Sequence, residues 1–298
     1  MPCGGSWPRL KLTLASLECQ TLAPGEAEII LVLDGPTMEE VPSAVRCRID
    51  RLGATVLEQP QAGRAAARNR GAAHACGELL VFLDADMVAE PTLLAAHLKT
   101  QRHGPTVVHG CILDLTFCTF LDDPSVAPSP SGRTAEIPGC GSGRPPLTCE
   151  DIANDFDRQV RRRARASAME RLISDLLADD DPRTRWIGCV GANLALPRSW
   201  FEEVKGFDPG FGLEWGCEDV ELGYRLTAAG RPIVCSSAAT AYHLTHHRPT
   251  AGKEHGRAAA HFQAKHGHPG ISVLDSFAGG KLSVSEAAMR LRTAAPGR

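Results

Sequence analysis

"GRAAARNRGAAHACGELLVFLDAD", residues 63–86, passes from an Ala- and Arg-rich run bounded by Gly63 and Gly77 to an apolar run that stops at two carboxylates. Alanine favours helix and glycine ends it, so the first part reads as a helix. The short apolar "LLVFL" reads as a buried strand. The same alternation surrounds it. "EIILVLDGP" (28–36) is a strand stopped by Asp-Gly-Pro, and "MEEVPSAVRCRIDRLG" (38–53) a helix stopped by Gly53. "ATVLEQ" (54–59) is a strand, "PTLLAAHLKTQRHG" (91–104) a helix with Pro91 in its first turn, and "PTVVHGCILDL" (105–115) a strand. Strands alternating with helices predict an α/β fold, a mostly parallel Rossmann-like sheet flanked by helices.

The rest of the chain divides the expected single domain into two further parts. Residues 116–185 hold a Pro/Gly/Ser-rich stretch (122–149), read as a mobile loop and candidate lid, and then one charged helix, "EDIANDFDRQVRRRARASAMERLISDLLADD". Its run Arg161, Arg162, Arg163 and Arg165 reads as a solvated face, or as a contact for an anionic acceptor or partner. Residues 186–298 carry a second patterned block, a strand "CSSAATAYH", a His-rich helix and an amphipathic tail helix.

Composition narrows the function classes. A net charge of −3 points to neither nucleic acid nor an anionic membrane as partner. No apolar run reaches the roughly 20 residues that span a bilayer, and the start shows no signal-peptide pattern. Eleven scattered cysteines without a Cys-x-x-Cys pair fit reduced thiols in a cytoplasm better than a disulfide framework or structural zinc.

Asp84 and Asp86 sit where ligands bind in open α/β sheets, beyond the carboxyl end of a strand. They can share a hard divalent cation such as Mg²⁺ or Mn²⁺, or split metal and ribose duties. Taken alone, Asp-x-Asp is equally a polar strand end. With Gly63, Ala67, Arg68, Asn69 and Gly71 upstream, the stretch resembles the G-x-x-x-A-R-N-x-G and Asp-x-Asp pattern of inverting family 2 glycosyltransferases of the GT-A fold. "GANLALPRSWFEEVKGFDPGFGLEWGCEDVELGYRL" (191–226) is similar to the acceptor half of galactosyltransferase-like members.

The resemblance implies a set of roles. Asp34, Arg64, Arg68, Asn69, Asp84 and Asp86 would bind the nucleotide-sugar, with Asp34 on the base. Asp219 would be the general base, with Glu218, Trp215 and Asn193 on the acceptor. Asp86 and His243 would hold Mn²⁺ or Mg²⁺, with Asp84, His246 and His247 as alternates. The donor is expected to be a UDP-sugar, and the acceptor a saccharide, small molecule or peptide. Glu218 and Asp219 also suit a plain acidic helix start, and the histidines a three-His zinc site. A nucleotidyltransferase, or a non-catalytic relative, is the alternative function; the Trp-Gly-x-Glu-Asp segment argues against the first. One departure is the first strand of the family sheet, which is expected to be missing because "MPCGG" stands where its following turn belongs. Without it the base site and stability would suffer, and an upstream extension would improve both.

Overall fold

The computed structural model describes residues 1–23, 25–116, 147–179, 181–246 and 251–294, with side chains at 251 and 252 excepted. The expected lid at 122–149 therefore lies almost wholly outside the described residues, as does His247.

Strands are β1 (Pro2–Cys3), β2 (Ile30–Asp34), β3 (Thr55–Gln59), β4 (Leu79–Leu83), β5 (Met87–Ala89), β6 (Val107–Thr116), β7 (Arg165–Ala166), β8 (Asn193–Pro197) and β9 (Ile233–Thr245). Helices are α1 (Trp7–Glu18), α2 (Ser43–Leu52), α3 (Arg64–His74), α4 (Leu93–Thr100), α5 (Cys149–Asn154), α6 (Phe156–Gln159), α7 (Ala168–Ala178), α8 (Arg198–Glu203), α9 (Glu218–Ala228), α10 (Ala251–His266), α11 (Gly270–Ala278) and α12 (Val284–Thr293).

The helix–strand order of the first half follows the expectation, but the pairing is mixed. β1–β2–β3 form a parallel sheet. A second sheet runs β4-β8-β6-β9-β5, with β7 on β6. In it β8 lies antiparallel between β4 and β6, and only β6–β9 is parallel. The late strands β8 and β9 enter the sheet from the second half of the chain, which local alternation over the first half does not encode.

The first strand is present, which corrects its expected absence. Pro2 and Cys3 pair with Val32 and Leu33, and the Met1 ammonium donates to the Ile30 carbonyl at 2.9 Å. The strand is short, and a cleft of about 910 Å³ opens beside it, lined by Ile29, Ile30 and the Leu79–Leu83 edge of β4.

The single charged helix expected at 150–180 is also corrected. The segment breaks into α5, α6, a 3₁₀ turn at Arg161–Arg163, β7 and α7. Pairing of Arg165–Ala166 with Leu113–Asp114 interrupts it, and the Ser167 hydroxyl then accepts from the Glu170 amide to start α7. Arg161 pairs with Glu90 and stacks over Phe156, so it is not simply solvated. Arg162 pairs with Asp157 and stays exposed.

The halves are joined through a shared core. Phe82 of β4 packs against Phe201 and Phe207 with ring centroids 5.2 and 5.1 Å apart. Each such pair contributes about 0.5–1.5 kcal/mol beyond area burial. A separate apolar cluster around Trp186, Phe262, Leu274 and Phe277 anchors α10 and α11. No helix among the described residues is long and apolar enough to cross a membrane.

Candidate active site

The site begins at the end of β2. Both oxygens of Asp34 are engaged: Oδ1 accepts from Gln59 Nε2 at 2.9 Å and the Ala62 amide at 2.7 Å, and Oδ2 from the Gly63 amide at 2.9 Å. Asp34 thus ties down the loop that opens α3. Gly63 has φ 92°, and a Cβ there would lie 1.8 Å from the Gly212 carbonyl oxygen. That close approach seats α3 on the loop leading to Trp215.

Arg68 reaches from α3 to both halves. It donates to Asp84 Oδ1 at 2.8 Å and to Glu218 Oε1 at 2.9 Å, with its guanidinium 5.2 Å above the Phe207 ring. Burial works against its charge, but the Asp84 and Glu218 carboxylates more than offset this and hold it above the ordinary guanidinium range. Asn69 pairs both ways with the Phe207 backbone, at 2.8 and 2.9 Å. Arg68 and Asn69, expected to position the donor, both join the two halves here.

The two carboxylates of Asp84-Ala85-Asp86 part company. The strand ends at Leu83, and the turn sends Asp84 to Arg68 and Asp86 to two histidines. Asp86 Oδ2 lies 3.8 Å from His243 Nε2 and 3.8 Å from His246 Nδ1. Ligand atoms of Asp86, His243 and His246 all fall within 4.8 Å of one another. One carboxylate and two imidazoles form a donor set that can hold a divalent metal ion. Asp114, outside the expected set, lies 3.4 Å from His243 Nδ1 and orients that ring. Burial lowers the His243 pKa, but Asp114, Asp86 and Asp84 outweigh it and the net shift is upward. His246 is lowered, by burial and then by the charge of Arg9, a buried residue of α1 also absent from the expected set.

Glu218 and Asp219 open α9. Burial would raise Glu218, but Arg64 and Arg68 hold it below its usual range. Its Oε2 is buried without a hydrogen-bond partner among the described residues. Asp219 accepts from the Gly191 amide at 3.2 Å and the Val220 amide at 2.8 Å. Burial and the Glu218 charge push its pKa up to about 6. A carboxylate tuned there can take a proton near neutrality. Arg64 sits 3.3 Å from Glu218, and Trp215 is partly buried beside the turn into α9.

Asn193, expected on the acceptor, lies in the core. It is fully buried, bonds His97 Nε2 at 2.9 Å and donates to the Ala239 and Cys111 carbonyls. Gly191 and Asn193 match the G-x-N motif, but the strand pleat turns Asn193 into the core.

Residues 1–128 match the sequence profile of glycosyl transferase family 2, and residues 174–248 that of the N-terminal domain of galactosyltransferase. The chain is 32% identical over 253 residues to validoxylamine A glucosyltransferase of Streptomyces hygroscopicus subsp. limoneus, covering 80% of this chain and 49% of that one. It is 27% identical over 245 residues to chondroitin synthase of Pasteurella multocida (strain Pm70), covering 78% of this chain and 23% of that one. The chain thus spans about half the length, or less, of these relatives. Among solved structures, mannosyltransferase PcManGT from Pyrobaculum calidifontis in complex with GDP-Man and Mn²⁺ superposes with a TM-score of 0.57 at 18% identity, covering 98% of this chain and 72% of that one. GalNAc-T7 with UDP, GalNAc and Mn²⁺ gives 0.53 at 18% identity, covering 98% and 53%. At these identities the structural likeness establishes the fold.

Proposed function

Residues 1–128 belong to glycosyl transferase family 2, in a chain of GT-A fold, and from that premise we propose a metal-dependent inverting glycosyltransferase. It moves a sugar from a nucleotide-sugar to an acceptor hydroxyl or similar nucleophile. The carrying observation is the link through Arg68 between the Asp84-Ala85-Asp86 turn and the Glu218-Asp219 helix start. That link sets a cation-binding donor set and a base of raised pKa into one rigid frame.

Asp219 takes the acceptor proton as the nucleophile attacks the anomeric carbon from the face opposite the nucleotide. Inversion follows from that single displacement. Glu218 and Trp215 stand on the acceptor side, Trp215 offering a flat apolar face. Asp86, His243 and His246 would hold Mn²⁺ or Mg²⁺, the imidazoles favouring Mn²⁺. Such an ion, when bound, neutralises the charge on a diphosphate leaving group. Mn²⁺ in both structural neighbours supports this reading. Those neighbours hold GDP-Man and UDP, so UDP-sugars and GDP-sugars both enter the donor panel.

The test is nucleotide release from a panel of UDP-, GDP- and dTDP-sugars with Mn²⁺ and candidate acceptors. Release with one donor, lost on chelation, is expected. A folded sample that binds and turns over none of them refutes the reading.

A further inference from the structure

The turn that delivers Glu218 and Asp219 carries an imidazole on its outer side. Cys217 has φ 69° and ψ −16°, a left-handed conformation that a residue with a side chain rarely adopts. Its side chain makes no capping bond to α9. A strained residue persists only where its surroundings impose it. Here the surroundings are the Trp186 cluster, in which Cys217 packs, and His255 of α10. His255 Nε2 lies 3.8 Å from Cys217 Sγ, and the ring stands 5.8 Å from Trp215. His255 Cδ2 would be 2.8 Å from a Cβ added to Gly216, which has φ 92°. One imidazole therefore touches Trp215, Gly216 and Cys217 in succession.

A third residue orients that imidazole. Asp275 Oδ1, on α11, lies 3.0 Å from His255 Nδ1. A carboxylate only accepts, so Nδ1 carries the hydrogen and Nε2 is left to accept from the Cys217 S–H. The contact order Cys–His–Asp is that of a thiol nucleophile with its base and orienting acid. Two observations assign it another task. Cys217 is 4% exposed, so its sulfur has almost no access to substrate. Burial, followed by the charges of Asp219 and Glu218, pushes the thiol pKa well up, which keeps it a hydrogen-bond donor.

We propose that His255 is a positioning residue for the transfer reaction: through Gly216 and Cys217 it fixes the turn that aims Trp215 and Asp219, and Asp275 orients it. The inference rests on the glycosyltransferase reading above. It makes α10 and α11, which carry none of the residues assigned to donor, acceptor or metal, part of the catalytic frame. These helices are anchored by Phe262, Leu274 and Phe277 on the Trp186 cluster, so removing the His255 ring leaves their core packing intact.

The experiment compares the full chain with His255→Ala, Cys217→Ala and Cys217→Ser, using whichever donor the wild type turns over. Expected for His255→Ala is a fall in kcat of about tenfold or more, with donor KM within about twofold, because misplacing a catalytic group by a fraction of an ångström acts on the chemical step. Cys217→Ala should behave alike. Cys217→Ser, whose hydroxyl can donate to Nε2, should recover most of the activity. An unchanged kcat in folded His255→Ala overturns the positioning role and leaves the glycosyltransferase reading standing. Equal losses in Cys217→Ser and Cys217→Ala, with kcat and donor KM moving together, overturn it too and mark the contact as structural. A wild type that releases no nucleotide from any donor overturns both.

Discussion

Replacing Arg68 with methionine tests the bridge between the two halves. The Arg68 side chain is 2% exposed and its partners Glu218 and Asp84 are 5% and 22% exposed. Breaking a buried ion pair from one side costs about 3–5 kcal/mol, because the other charge stays buried. Here Arg64 remains 3.3 Å from Glu218, and Asp84 can turn toward solvent. The low end, about 3 kcal/mol, is therefore expected, which is a fall in Tm of about 5 °C for a chain of this size. The deficit should depend on pH with a definite sign. In the wild type Glu218 is held below its ordinary range, so its stabilisation is present above the unfolded pKa and lost as pH falls. Without Arg68, burial is opposed only by Arg64 and a backbone hydrogen bond, and the Glu218 pKa moves up. Protonation then relieves the variant, and the Tm gap should narrow between about pH 7.5 and about pH 5. Circular dichroism melts of both proteins at the two pH values measure this. A gap below about 1 kcal/mol, or one that widens in acid, would refute the assignment of Arg68 as the buried bridge.

Other outcomes follow from the same geometry. With Asp219 raised to about 6, kcat/KM should fall tenfold per pH unit below that value and level off above it. An acid limb near the ordinary carboxylate value of about 4 would count against it as base. Asp219→Asn should lower transfer by about 10²–10⁴-fold while donor-induced thermal stabilisation persists. Asp86→Asn and His243→Ala should each remove the extra Tm shift that Mn²⁺ adds to UDP or GDP binding; a retained shift would place the cation elsewhere. Gly63→Ala should destabilise by at least about 2 kcal/mol, since its φ is 92° and its Cβ would meet the Gly212 carbonyl at 1.8 Å. Urea titration reads that loss, and a near-neutral result would mean that the α3 contact yields.

Much of this was legible in the chain itself. The helix–strand order of the first half follows from short apolar runs, Ala-rich stretches and Gly or Pro stops, all local signals. Asp84-Ala85-Asp86 and Glu218-Asp219 stood out because both fall where an element starts or ends, and polar groups there can face a ligand. Local signals could not say where the second half enters. β8 lies antiparallel between β4 and β6, and that register, not the motif around it, buries Asn193 against His97. Nor could they separate Asp84 from Asp86. Arg68 and Glu218 are 150 residues apart, and only their meeting across the fold turns Asp84 toward a guanidinium and leaves Asp86 for His243 and His246. Asp114 escaped for a related reason: it is an acid inside an apolar strand, and its value comes from standing opposite His243 in the β6–β9 register. What the residues determined alone were the elements and the chemical inventory, because propensity and periodicity act over a few residues. Which acids pair with guanidinium groups or stand beside histidines, and which keep a raised pKa, was decided by burial and by charges brought together from distant parts of the chain.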